Sequence, residues 1–381
     1  MKILGIETSC DETAAALIEG ENDHVVLKAN VLATSLALHA KTGGIIPEQA
    51  AREQAKFILP VIKETLNKSL DTSDPLESLR TIDAIAVTYG PGLIGSLLVG
   101  VETAKTLAYV LNKPIIPVNH MVGHIYANFI NTSLRDHEVA RRFEEASPLG
   151  GKQSHLRLPR SLSVARNDEI QFPLLALVVS GGHTDLLLMK RHGDFQLLGG
   201  TRDDAAGEAF DKIGRMLGLS YPAGPEIEKL ANLGNPKHFH FPRPLLHENT
   251  YEFSFSGLKT AVLREVKATK QLNNQTIRDI CRAAQDAIID VLVKKTLRAA
   301  KEHNVKSILL SGGVSANQTL REEFSRLNPS QGIPSGQLST QIFAPAKSLC
   351  TDNAAMIASA AYFNYNPVPW QEITADPELY F

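Results

Sequence analysis

Cysteine is scarce in this chain of 381 residues: only Cys10, Cys281 and Cys350 occur, far apart and with no Cys-x-x-Cys pair. That removes the usual signature of a zinc ribbon or a dithiol redox centre, and it fits a reducing, cytoplasmic compartment. Net charge is nearly absent too, at -2, so there is no global attraction for nucleic acid and any RNA contact must come from a local patch. No apolar run approaches the roughly 20 residues of a membrane span, and the first four residues run straight into a strand pattern. Neither membrane association nor a signal or transit peptide is expected. What is present, 43% hydrophobic and 21% charged residues with a mean hydropathy of -0.09, is the composition of an ordinary soluble globular protein. The length suggests about two domains, each with ample core.

Alternation of apolar and polar residues predicts three successive strands over 2–8, 14–19 and 24–33, an antiparallel meander. Pro47 favours a first helical position, and Ala51, Ala55, Ile58, Leu59 and Ile62 recur at helical spacing through Leu66. A strand over 82–87, a Gly-Pro-Gly loop, a helix over 94–111 and a strand over 114–118 follow, and then a helix carrying His120 and His124 through Ile130. Residues 131–171 break the rhythm as a polar insertion or linker. The pattern restarts with strands over 173–180, 184–190 and 195–198 and a helix over 204–217. A long helix over 276–303, a strand over 307–310, and helices over 316–327 and 352–362 complete it. The shared order in the two halves favours an α/β protein of two like lobes, 1–130 and 172–381, with a ligand cleft between them.

Histidines four residues apart on a helix share a face, so His120 and His124 can reach one ion. Asp352, at the start of the last helix, is either a helix cap or the third ligand of a site with an open position. Three polar, glycine-rich turns follow apolar strands, at 7–13, 180–184 and 311–317, and their backbone N–H groups can face phosphate oxygens. The third is expected to open a helix at Ala316, whose N-terminus favours an anion or a nucleotide edge, with Ser315 equally a plain N-cap and Asn317 offering a donor and an acceptor to a base or ribose. Asp11 and Glu12 put two carboxylates in the first turn, as solvated turn residues or as a base beside a bound anion. Asp203 and Asp204 suit a helix N-terminus, whereas Asp211, on another face, suits hydrogen bonding to ligand hydroxyls.

Six ordered segments, 5–13 (GIETSCDET), the His120/His124 pair, 179–184 (VSGGHT), 253–259 (FSFSGLK), 312–317 (GGVSAN) and 350–353 (CTDN), resemble the TsaD family. Its members place threonylcarbamoyl on the adenosine beside the anticodon of tRNA. The resemblance implies the actin-like ATPase fold of sugar kinases and heat-shock chaperones, with two ribonuclease-H-like lobes. It implies one iron or zinc ion on His120, His124 and Asp352, and threonylcarbamoyl-adenylate on Val178, Val179, Ser180, Gly181, Gly182, Asp211, Gly224, Glu228 and Asn317. Asp11 becomes essential to transfer, with Glu12 in support, and either TsaB- and TsaE-type proteins or a second copy are expected as partners.

The chain departs from that pattern in places. Ala223 stands where a glycine is usual and is expected to tighten the loop over the ligand, the tail 366–370 lacks the usual arginines, and the insertion is long. Within it, 147–166 carries Lys152, Arg157, Arg160 and Arg166 and no acid, a candidate arm for the tRNA backbone or else a solvated loop. Two other functions compete. A metalloprotease would want a glutamate inside the histidine motif, where Met121, Val122 and Gly123 stand instead. A nucleotide-gated ATPase scaffold would need the phosphate turns but not the metal ligands.

Overall fold

A computed structural model describes residues 1–35, 39, 44–69, 75–131, 169–269, 272–327 and 340–381; the basic arm at 147–166 and most of the insertion expected over 131–171 lie outside the described residues. The first sheet begins with β1 (Lys2–Glu7), β2 (Glu12–Glu21) and β3 (His24–Thr34), paired antiparallel as the alternation predicts. The chain continues through α1 (Pro47–Ser69), α2 (Pro75–Arg80), β4 (Ala84–Gly90), α3 (Ile94–Leu111), β5 (Ile115–Asn119), α4 (His120–Tyr126) and the short β6 (Ile130–Asn131). Here β4 runs parallel to β1, and β5 to β4. The second sheet holds β7 (Leu174–Val179), β8 (Thr184–Arg191) and β9 (Asp194–Gly200), again antiparallel. Helices α5 (Ala206–Met216), α6 (Gly224–Ala231), α7 (Ser256–Ala268) and α8 (Asn274–Glu302) lead to β10 (Ser307–Ser311), α9 (Gln318–Leu327), β11 (Gln341–Phe343) and α10 (Ala354–Phe363). Strands β10 and β11 extend the second sheet in parallel beyond β7.

The first sheet is ordered β5-β4-β1-β2-β3-β6 and the second β11-β10-β7-β8-β9, so apart from β6 the two follow one plan. This is the actin-like fold. Both central strands, β1 and β7, are buried almost throughout, as strands covered on both faces must be. Helices α4 and α10 lie in one core shared by the two sheets, where Ile125 and Ile357 pack with Ala86 of β4 and Leu309 of β10. The small residues of α10 permit close approach: a Cβ on Gly5 of β1 would lie 2.3 Å from the Ala354 carbonyl oxygen.

Several expectations are corrected. The buried face of α1 is Ala50, Gln54, Ile58, Val61, Ile62, Thr65 and Leu66, while Ala55 is exposed and Leu59 is 64% exposed. Gln54 and Thr65 are buried because carbonyls of the first sheet and its turn accept their hydrogen bonds, so apolar spacing alone misplaces the face. The histidine helix stops at Tyr126, where the Asn128 amide donates to the carbonyls of Ile125 and of Leu310 on β10 and draws the chain to the second sheet. Helix α3, 18 residues at mean hydropathy 1.3, is long and apolar enough to cross a membrane by length and composition alone; in the fold Leu97, Val101, Ala104 and Ala108 are buried in the core. The tail 366–370 also has a place: Val368 bonds the Ile115 carbonyl and Trp370 packs edge-on to Tyr109.

Candidate active site in the cleft between the sheets

The turn joining β1 to β2 is held from outside by its carbonyls. Gln54 of α1 donates to the oxygens of Thr8, Cys10 and Glu12 at 3.3, 3.0 and 2.9 Å. Ser96 Oγ also bonds the Cys10 carbonyl, the Leu93 amide bonds that of Ser9, and Ser35 bonds that of Asp11 through both its amide and its hydroxyl. With five successive carbonyls engaged, the Asp11 and Glu12 side chains reach the cleft, where both line two adjoining cavities. Burial first, then the field of Asp352 and contact with Asp11, pushes the Glu12 carboxyl well above the usual carboxylate range, which favours its protonated form.

Beside this turn, Asn119 caps α4 by accepting from the amides of Met121 and Val122, which fixes the helix that bears both histidines. Asp352 Oδ1 lies 3.5 Å from His120 Nε2 and 3.2 Å from His124 Nε2, and one ligand atom from each of the three residues falls within 4.8 Å of the others. Nδ1 of His124 is buried without a hydrogen-bond partner, and for its buried Nε2 only the Asp352 oxygen is in reach. Two buried imidazoles converging with one carboxylate, and short of donors of their own, are a donor set that suits a divalent ion, so the residues fit it. Burial would push Asp352 up and His120 down, but their mutual attraction outweighs both: the Asp352 carboxyl is held well below the usual range, and His120, helped by Glu7, rises to about 9. Asp352 is not the cap of α10; Asn353 is, accepting from the Met356 amide. His183 enters the same cavity, its imidazole pushed down to about 4 by burial and by His120 and His124.

The cavity on the other side of Asp11 measures about 460 Å³ and the metal-side one about 640 Å³, a size range that suits a nucleotide-sized ligand. Gly181, Gly182 and Gly224 line these spaces, and a Cβ on any of them would meet no protein atom within 4 Å. Nothing in the protein's own packing therefore calls for glycine at these three positions. Asp211 anchors one carboxylate oxygen on the Ala223 amide at 2.7 Å, and Glu228 anchors one on the Gln318 amide at 2.6 Å. Each retains acceptor capacity towards the cavity.

Other residues fall differently from expectation. The side chains of Val178 and Val179 are fully buried in the cores, leaving only their main chain for a ligand. The third turn forms a 3-10 segment, Gly313–Ala316, and α9 opens at Gln318. Asn317, not Ser315, caps it by accepting from the Leu320 amide, while its own amide donates to Gln285. Ala223 does not cover the ligand space; its methyl is core, set against Gly214. Asp203 accepts from the amides of Phe255 and Ser256 at the start of α7, and Asp204 pairs with Lys212 and Lys259, so both brace α5 against the FSFSGLK segment. Sequence reasoning assigned no part to Glu7, Gln54 or His183. A polar residue within the helical stripe at 54, and a histidine directly after the paired glycines, were the available signals.

Residues 26–138 and 158–359 match the family model TsaD, tRNA N6-adenosine threonylcarbamoyltransferase. A protein of that name from Moorella thermoacetica is 45% identical over 365 residues, covering 95% of this chain and 92% of the relative. One from Clostridium novyi is 43% identical over 383 residues, covering 100% and 97%. Among solved structures, full-length HypF in its phosphate- and nucleotide-bound form aligns at a TM-score of 0.53 and 12% identity, over 95% of this chain and 55% of that one, a likeness of fold.

Proposed function

The chain belongs to the TsaD family of tRNA N6-adenosine threonylcarbamoyltransferases, and from that we propose the following assignment of its chemistry. The enzyme transfers threonylcarbamoyl from threonylcarbamoyl-adenylate to the N6 amine of the adenosine beside the anticodon, in tRNAs that read codons starting with A. The observation that carries this reading is one continuous cleft in which Asp11 stands between a two-histidine, one-aspartate set and a cavity lined by otherwise unneeded glycines.

In this reading Ser180, Gly181, Gly182, Gly224 and the main chain of Val178 and Val179 receive the adenylate, and Asp211, Glu228 and Asn317 orient it by hydrogen bonds. His120, His124 and Asp352 hold one divalent ion, iron or zinc, which would polarise the threonylcarbamoyl end as a Lewis acid. The N6 lone pair of the adenosine attacks the carbamoyl carbon, the bond from that carbon to the phosphate oxygen breaks, and AMP leaves with the electron pair. Asp11 accepts the N6 proton, and protonated Glu12 donates a hydrogen bond that supports it. Holding donor and amine on either side of Asp11 supplies much of the rate through proximity. The setting is cytoplasmic, with TsaB- and TsaE-type proteins or a second copy as partners. The arm at 147–166 adds phosphate contacts whose removal would weaken tRNA binding at low salt.

Transfer of labelled threonine to unmodified tRNA from supplied threonylcarbamoyl-adenylate tests the reading, with wild type beside His120→Ala and Asp11→Ala, each with and without the partner proteins. Activity in the wild type alone is expected. A wild type that binds ATP and metal yet stays inactive with its partners would replace this reading with the nucleotide-gated scaffold.

A further inference from the structure

Glu7, the last residue of β1, is fully buried between the metal ligands and the turn that bears Asp11. Its two oxygens serve different elements. Oε1 accepts from the Ser9 amide at 2.5 Å, which starts the turn. Oε2 accepts from Thr88 Oγ1 of β4 at 2.5 Å and lies 3.2 Å from His120 Nδ1. Ser9 Oγ also lies 3.2 Å from that nitrogen. Among the described residues His120 is the sole basic side chain in ion-pair range of Glu7, with no lysine or arginine near.

A buried carboxylate needs donors and, if charged, a cation. Here the donors are an amide, a hydroxyl and an imidazole, and the imidazole belongs to a residue whose other nitrogen faces His124 and Asp352. We propose that Glu7 is the positioning residue of the metal centre: it holds the proton of His120 on Nδ1 and so aims Nε2 at the ion. A carboxylate behind a metal-bound histidine fixes the ring and raises its basicity, and removing such a partner typically costs about 10- to 100-fold in metal affinity. Because its other oxygen holds the Ser9 amide, Glu7 also sets where the turn carrying Asp11 starts relative to the ion. The inference rests on the reading of His120, His124 and Asp352 as the metal site.

The test uses the full-length protein and zinc, with affinity measured by competition against a chromophoric chelator for wild type, Glu7→Gln and Asp352→Ala. Glu7→Gln keeps the side chain's size and is expected to bind zinc about 10- to 100-fold more weakly, and to shift the absorption bands of the cobalt-substituted protein. In parallel, long-range proton–nitrogen NMR of zinc-loaded wild type with labelled histidine reads the His120 tautomer directly, whether or not the variant folds. A protonated Nδ1 with zinc on Nε2 is expected. Zinc on Nδ1, or unchanged affinity in Glu7→Gln, would overturn the inference and leave the metal site standing. Zinc bound as tightly by Asp352→Ala as by wild type, or not bound by wild type, would overturn the metal reading and this inference with it.

Discussion

Replacing Gln54 with methionine isolates the clamp on the catalytic turn, because the side chain keeps its length and loses both N–H donors. The Thr8 and Glu12 carbonyls lose this donor, while the Cys10 carbonyl keeps Ser96 Oγ at 3.1 Å. Buried acceptors left unsatisfied cost about 1–3 kcal/mol each, so losing two should cost the variant about 2–6 kcal/mol. For a chain of 381 residues that lowers Tm by roughly 3–8 °C, which still permits assay at 25 °C. The larger effect falls on rate: a turn released from α1 displaces Asp11, and a displacement of about 1 Å costs on the order of 100-fold. Gln54 touches none of the three metal ligands, so zinc affinity should stay within about threefold of wild type, well inside the weakening that loss of a direct metal partner brings. Single-turnover transfer to tRNA, with zinc binding measured on the same samples, separates the two. A folded Gln54→Met protein with wild-type turnover would refute the idea that the outer clamp positions Asp11.

The glycine cradle gives a sharper contrast. Gly182→Ala meets no protein atom, so Tm should not move, whereas affinity for threonylcarbamoyl-adenylate by calorimetry should fall at least about tenfold; Gly207→Ala, whose Cβ would sit 2.5 Å from the Ser180 carbonyl oxygen, should destabilise the fold itself. Asp185 supplies a pH signature: burial raises its carboxyl from 3.8 to about 6, although Tyr380 donates to it. Between those values the folded state binds the proton and the unfolded state does not, so stability falls as pH rises through this window, by up to about 3 kcal/mol. Asp185→Asn should flatten that part of a urea-unfolding profile and be the more stable protein at pH 7; an unchanged profile would mean Asp185 titrates normally.

Much of this architecture is legible in the residues because burial on both faces leaves little freedom. The meander of β1 to β3, the limits of α3 and the placing of His120 and His124 on one helical face follow from periodicity and capping. Short elements escape that logic. Helix α6 begins after a cis Tyr221–Pro222 bond, and α7 starts where Asp203, about 50 residues earlier in the chain, accepts the amides of Phe255 and Ser256. Pro225 and Glu226 in its first turn do mark the start of α6, but nothing local announces that of α7. The site divides in the same way: the turn residues carry their chemistry on their faces, but Glu7 and Gln54 act through partners 113 and 42 to 46 positions away, respectively, and such pairings exist only once the sheets are built.

The position of α10 has a consequence for synthesis. Residues 354–361 cover the inner face of β1 and β2, and Ile373 and Ala375 complete the core on the other face, so the strands that leave the ribosome first wait for nearly the last segment to arrive. Until then the nascent first half carries an apolar sheet face with no cover, a substrate for holding chaperones. A chain stopped after Phe343 would strand the beginning of the protein rather than its end. Closing a loop of this span makes the final docking of α10 the candidate slow step in folding.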